Sequence, residues 1–80
     1  MAAFVYLLRC ADGTLYCGWS TDPERRLGQH QAGTASRYTR RRLPVELVYR
    51  RECGTRSEAM REEVRIKRLP AAEKRRLANV

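Results

Sequence analysis

A chain of 80 residues, 42% of them hydrophobic, can build one domain around a small core, near the lower limit of self-sufficiency. Cys10, Cys17 and Cys53, with a single histidine and no CxxC pair, exclude a closed zinc site and leave free thiols in a reducing, cytoplasmic setting as the simplest expectation; no apolar run is long enough for a membrane span, and Phe4–Leu8 is too short for a secretory signal. Seventeen basic against nine acidic residues give a net charge of +8, a surplus suited to a polyanionic partner.

The run Phe4-Val5-Tyr6-Leu7-Leu8 is continuous in apolar strand formers, which predicts a strand covered on both faces. Ala11-Asp12-Gly13 is a turn, and Leu15-Tyr16-Cys17 resumes a second strand. Loop length decides which side chains share a face. A two-residue Asp-Gly loop would pair Arg9 with Tyr16 and Tyr6 with Trp19, sending the tyrosines to opposite faces. A three-residue loop, with Gly13 left-handed in a bulge, pairs Leu8 with Tyr16 and Tyr6 with Gly18. Sequence chemistry permits both turns; the second, with both tyrosines on one face and Tyr6 opposite a glycine, is the expectation.

Asp22-Pro23 opens a helix, an Asp cap followed by proline at the first helical position. It should run to about Ala32 and stop at Gly33, with Arg26 and His30 four apart on one face. Ser36-Arg37-Tyr38-Thr39-Arg40-Arg41-Arg42 is a basic stretch with one aromatic, expected as a short helix. Pro44 precedes a third strand, Val45–Tyr49. Thr55 and Glu58 form a capping-box pattern for a helix to about Leu69, and Pro70 opens a last one over Ala71–Ala78. The order predicts a mixed α/β domain around a small sheet, filling residues 1–80.

Fifteen of the seventeen cations are Arg, and only Lys67 and Lys74 are Lys. The guanidinium fork grips phosphate with two bonds where an ammonium offers a point charge. A solvated Arg-rich surface would explain the choice of Arg over Lys, but less readily the net surplus. Nucleic acid is therefore the expected partner.

Among the carboxylates Glu63 stands apart. Ala59 lies four before it and Ile66 three after, so it falls on the seam where apolar residues pack. A carboxylate there needs an ion pair or a metal, and an Arg-rich chain with Lys67 nearby makes the pair easy. Its neighbour Glu62 reads as a solvated position. Taken singly, His30 reads as a surface histidine beside Arg26, Tyr6 and Tyr16 as core aromatics, and the cysteines as small buried hydrophobes.

Taken together, the residues say more. Val5-Tyr6-Leu7, then Tyr16-Cys17-Gly18, then Arg26 ten residues after that tyrosine, His30 four later and Glu63 on a late helix resemble the GIY-YIG nuclease family. The resemblance extends through Thr21–Leu27, His30–Gly33, Ser36–Thr39 and Ser57–Ala59 to Glu63 and Lys67. It is nearest to the small, single-domain bacterial branch. It implies a three-stranded antiparallel sheet flanked by helices, with phosphodiester cleavage of DNA on its face and one divalent ion, Mg²⁺ or Mn²⁺. Carried over by position, Tyr6 and Tyr16 become the catalytic tyrosines, Arg26 the phosphate clamp, His30 the residue four after it, and Glu63 the metal ligand. Three departures stand out: Phe4 replaces the first-motif glycine, Trp19 stands where some relatives have Lys, and no Asn follows the metal-binding helix closely.

Hydrolysis needs an activated water, neutralisation of the phosphoryl oxygens and help for the departing oxygen. With a pKa near 10, tyrosine is a poor base at neutral pH, and Arg26 with a metal should make it easier to deprotonate. Tyr6 is the expected base, with Tyr16 and His30 orienting or relaying; the residues also permit an exchange of these roles. Arg37, Tyr38, Arg40, Arg41, Arg42 and Lys67 are the expected nucleic-acid contacts, with RNA an open alternative to DNA. The competing readings are a binding module that kept the fold without cleaving, and a nuclease domain active only in an assembly whose protein partner supplies targeting.

Overall fold

The computed structural model describes residues 2–80. Seven elements follow in the expected order: β1 (Ala3–Arg9), β2 (Leu15–Ser20), α1 (Pro23–Gln31), α2 (Arg37–Arg40), β3 (Glu46–Cys53), α3 (Arg56–Lys67) and α4 (Ala71–Ala78). The strands form one antiparallel sheet in the order β2-β1-β3. The continuous apolar strand is therefore the central one, and Val5, Tyr6, Leu7 and Leu8 are all buried. No helix of the described residues is long and apolar enough to cross a membrane.

The hairpin takes the three-residue loop. Gly13 adopts φ +84°, its N–H donates to the Cys10 carbonyl, and the Cys10 N–H donates to Thr14. Leu8 then pairs with Tyr16 and Tyr6 with Gly18. Strand β3 runs four residues past the expected Tyr49, because β1 begins at Ala3 and offers pairing partners as far as Cys53. Its register slips between Leu7↔Tyr49 and Leu8↔Leu47, leaving Val48 as the extra residue of a bulge.

The two faces of the sheet are covered by different helix pairs. Val5, Leu7, Cys17 and Cys53 pack with Ala59 and Ile66 of α3 and Ala78 of α4. Tyr6, Leu8, Cys10 and Val45 pack with Tyr16, Leu27 of α1 and Tyr38 of α2. Helix α1 is capped by Asp22, whose Oδ1 accepts from the Arg25 N–H at 3.2 Å, and is followed by Gly33 at φ +80°. Its Gln31 amide clamps Val45 at the entry to β3, donating to the carbonyl and accepting from the N–H. Helix α3 begins at the expected cap, with the Glu58 N–H donating to Thr55 Oγ1 at 3.1 Å. The Glu58 carboxylate reaches back to the N–H of Gly54 at 3.0 Å, one residue earlier than in a standard capping box.

All three cysteines are free and buried. Burial, reinforced by the Glu63 charge, pushes the Cys17 thiol up to about 12, so it behaves as a small apolar group and not as a nucleophile.

Candidate active site

The three-residue loop sets the geometry. Tyr6 and Tyr16 lie on the face covered by α1 and α2, and Tyr6 packs onto Gly18. A Cβ at position 18 would lie 2.5 Å from the Tyr6 hydroxyl oxygen and 2.7 Å from Cζ, closer than real Cβ contacts. Only the absence of a side chain lets the ring pass over β2.

The ring ends at His30. Its Nε2 is 2.9 Å from the Tyr6 hydroxyl, and its Nδ1 is 2.8 Å from Thr39 Oγ1. Both His30 and Thr39 are almost wholly buried. The single hydroxyl hydrogen of Thr39 points to the Ser36 carbonyl at 3.3 Å, so the network assigns the imidazole hydrogen to Nδ1, donating to Thr39. Nε2 is then bare and accepts from Tyr6. Burial, aided by the Arg26 charge, lowers the His30 pKa and keeps the ring neutral. A chain of hydrogen bonds thus runs Tyr6, His30, Thr39, Ser36, joining β1, α1 and α2.

Tyr16 closes the other side. Its ring meets the His30 ring edge-on at 5.2 Å and stacks on Tyr38 at 5.8 Å. The charges of Arg26 and Glu63 both act on the Tyr6 hydroxyl, in opposite senses. Burial and the neighbouring Tyr16 raise its pKa and outweigh Arg26, which lowers it. The Arg26 part of the expectation, which joined Arg26 with a metal, has the right sign, but burial and Tyr16 outweigh Arg26 by itself: in the free protein Tyr6 remains a neutral phenol.

Glu63 lies between the fully buried Ala59 and Ile66 of α3, with 20% of its side chain exposed and Lys67 Nζ 3.6 Å from Oε1. The seam reading holds for Glu63 but fails for Glu62, which is not solvated. Only 13% of the Glu62 side chain is exposed; Arg51 holds it at 2.7 Å and Arg65 also at 2.7 Å. Those bonds, the Arg65 bond foremost, lower its pKa. The cause is the unexpected length of β3, which carries Arg51 to the flank of α3.

No group of three or more His, Cys, Asp and Glu side chains is placed to hold a metal among the described residues. A single carboxylate nevertheless suits Mg²⁺, which keeps several waters and binds through one or two carboxylates plus phosphate oxygens. Lys67, half exposed, holds Glu63 only through a solvent-screened pair.

The basic stretch divides. Arg37, Arg40 and Arg41 are exposed and pair with no carboxylate among the described residues. Arg42 bonds Asp12 at 2.9 Å, donates to the Tyr38 carbonyl and lies 3.7 Å over the Tyr38 ring. The Tyr38 hydroxyl donates to Thr14 at 2.7 Å, so Tyr38 and Arg42 fasten α2 to the hairpin turn. Thr39 is the site residue that sequence reasoning missed. Its position nine after His30 carried no periodic signal.

Comparison with known proteins bears on the family and the fold. Residues 2–76 match the GIY-YIG catalytic domain. The UPF0213 protein of Nitratidesulfovibrio vulgaris is 56% identical over 71 residues, 89% of this chain and 64% of that protein, so the chain spans just under two thirds of that relative. A UPF0213 protein of Natronomonas pharaonis is 50% identical over 92% of this chain and 87% of its own length; the relatives thus extend from bacteria into archaea. The solution NMR structure of the UPF0213 protein BH0048 from Bacillus halodurans superposes with a TM-score of 0.63 at 39% identity, covering 99% of this chain and 84% of that one. With nearly its whole length matched and the paired tyrosines on one face, this chain belongs to the GIY-YIG catalytic-domain family.

Proposed function

We propose that the protein hydrolyses phosphodiester bonds in DNA, as an endonuclease dependent on Mg²⁺ or Mn²⁺. The observation that carries this reading is the buried hydrogen bond from the Tyr6 hydroxyl to the bare Nε2 of His30. A phenol with a raised pKa cannot stand as a tyrosinate, but it can hand a proton on. The attacking water gives its proton to the Tyr6 oxygen as the phenolic hydrogen passes to His30 Nε2, and Thr39 accepts from Nδ1 throughout. The water oxygen bonds to phosphorus and the bond to the leaving oxygen breaks, with that oxygen protonated by solvent. Arg26 holds a nonbridging oxygen of the phosphate. A divalent ion held by Glu63 would supply the positive charge that the departing oxygen needs. Tyr16, packed against His30, orients the imidazole.

The experiment is cleavage of branched, nicked and linear DNA, and of RNA, with Mg²⁺ or Mn²⁺, by wild type and Glu63→Gln. Wild type should cut a DNA substrate and Glu63→Gln should not, while metal-free DNA affinity stays within about twofold or rises slightly, since one negative charge has gone. Mg²⁺ should raise the melting temperature of wild type but not of the variant. Equal cleavage by the two proteins would remove Glu63 from the chemistry. Cleavage of RNA alone would replace the substrate.

A further inference from the structure

Two clefts adjoin at the end of β2 and share Ser20, Thr21 and Arg26. One, of about 240 Å³, is closed by Trp19 and Arg56; the other, of about 270 Å³, contains Arg25. The three guanidiniums of Arg25, Arg26 and Arg56 pair with no carboxylate among the described residues. Of the nearby acids, Asp22 lines the second cleft and caps α1 by accepting from the Arg25 N–H, without forming an ion pair, and Glu24 pairs with Arg50.

Their placement works against the fold. Arg25 and Arg26 are the third and fourth residues of α1 and Arg56 is the first of α3, where the helix dipole disfavours cations. The favoured ends carry Arg65 and Lys67 in the last turn of α3 and Arg75 and Arg76 in that of α4; Arg37 of α2 and Lys74 of α4 also stand in a first turn, but neither lines these clefts. Cations held unpaired at the unfavourable ends of two helices, in joined clefts, are a local rule broken without a compensating contact inside the molecule. The compensation lies in a ligand of negative charge. One member of the set also acts on the reacting groups, since the Arg26 charge reaches both Tyr6 and His30.

We infer that the joined clefts seat the phosphodiester backbone of a DNA strand, with Arg26 at the central phosphate and Arg25 and Arg56 on the phosphates to either side. This rests on the proposed nuclease activity and adds the path of the strand. It runs across the end of β2, between the first turns of α1 and α3, and not along the basic stretch of α2. Arg42 of that stretch is committed to Asp12 and Tyr38, and Arg37, Arg40 and Arg41, though unpaired among the described residues, line neither cleft.

The test is metal-free binding of a fluorescently labelled duplex over a salt series. Arg25→Gln/Arg56→Gln is compared with Arg40→Gln/Arg41→Gln at the end of α2, and with Arg61→Gln/Arg68→Gln as a control that removes the same charge elsewhere. Losing two phosphate contacts should reduce the log–log salt slope by about 1.8, at roughly 0.9 per duplex phosphate. The control should leave the slope near that of wild type. Free Arg25→Gln/Arg56→Gln should melt no lower than wild type, because the helix dipoles no longer face those cations; a purely structural role would lower it. A slope unchanged by Arg25→Gln/Arg56→Gln but reduced by Arg40→Gln/Arg41→Gln overturns the path and leaves the nuclease reading standing. Wild type that binds no DNA overturns both.

Discussion

Thr39 shows how one hydroxyl can set the chemistry of a neighbouring ring. Its oxygen accepts from His30 Nδ1, which leaves Nε2 free for Tyr6. Thr39→Val keeps the shape, removes the acceptor and strands a buried N–H, at a cost of roughly 1–3 kcal/mol. The expected result is a second tautomer, with hydrogen on Nε2, visible in the imidazole ¹⁵N shifts, together with slower cleavage; Thr39→Ser should restore both. Unchanged shifts in Thr39→Val would mean that the tautomer is set elsewhere. His30 also makes stability depend on pH. Its folded pKa lies below the ordinary value, through burial and then Arg26. Below about pH 6.5, the usual histidine value, the unfolded chain therefore binds the extra proton first, and the folded state loses stability as pH falls through the lowered value. Above that range the contribution is constant. Because carboxylates titrate lower still, the test is the difference between wild type and His30→Gln in urea midpoint at pH 7.5 and pH 5. The variant should show the weaker dependence.

Strand β2 carries the site because Gly18 has no side chain. Gly18→Ala would bring a methyl to 2.5 Å from the Tyr6 oxygen, so the ring must swing off its bond to His30. The expected outcome is a cleavage rate lowered at least tenfold and a changed His30 imidazole shift, with the sheet intact by circular dichroism; a normal rate would show that the Tyr6–His30 bond is dispensable. The same element shows what was legible in advance. Turn chemistry at Asp12-Gly13 and the alternation of side chains sufficed to place Tyr6 opposite Gly18, and the Asp22, Gly33, Thr55 and Pro70 signals located the helix ends to within a residue or two. The length of β3 was not legible, because Arg50, Arg51 and Glu52 give no apolar alternation and gain their strand geometry from pairing with β1. The misreading of Glu62 followed directly from that. Thr39 stayed hidden for another reason: α2 has four residues, too few for periodicity to say which face is buried. Glu63 on its seam was legible from spacing alone, but the strength of its Lys67 pair was not.

Across the whole molecule, the charge surplus and the ion pairs respond to salt over different lengths. The six pairs among the described residues span 2.5 to 3.6 Å, comparable to a Debye length only near 1 M salt, where it is about 3 Å. The net charge of +8 is spread over a body of 31 × 27 × 18 Å. At 0.01 M salt the Debye length is about 30 Å, so every cation feels nearly every other; at 0.1 M it is about 10 Å, and most of that repulsion is gone. Exposed pairs contribute only about 0–1 kcal/mol each, so the loss of repulsion should dominate. The free protein should therefore melt at a higher temperature in 0.1 M than in 0.01 M NaCl, with little further rise above that. DNA affinity should fall over the same range as counterions compete for the phosphates. Chloride is the proper salt for the comparison, since sulfate or phosphate would bind the arginines themselves. If melting and affinity instead declined together from 0.01 to 0.1 M, the fold would depend on its ion pairs more than it is strained by its surplus. The unpaired arginines would still answer to the phosphates, since the fall in affinity is common to both outcomes and only the direction of melting separates them.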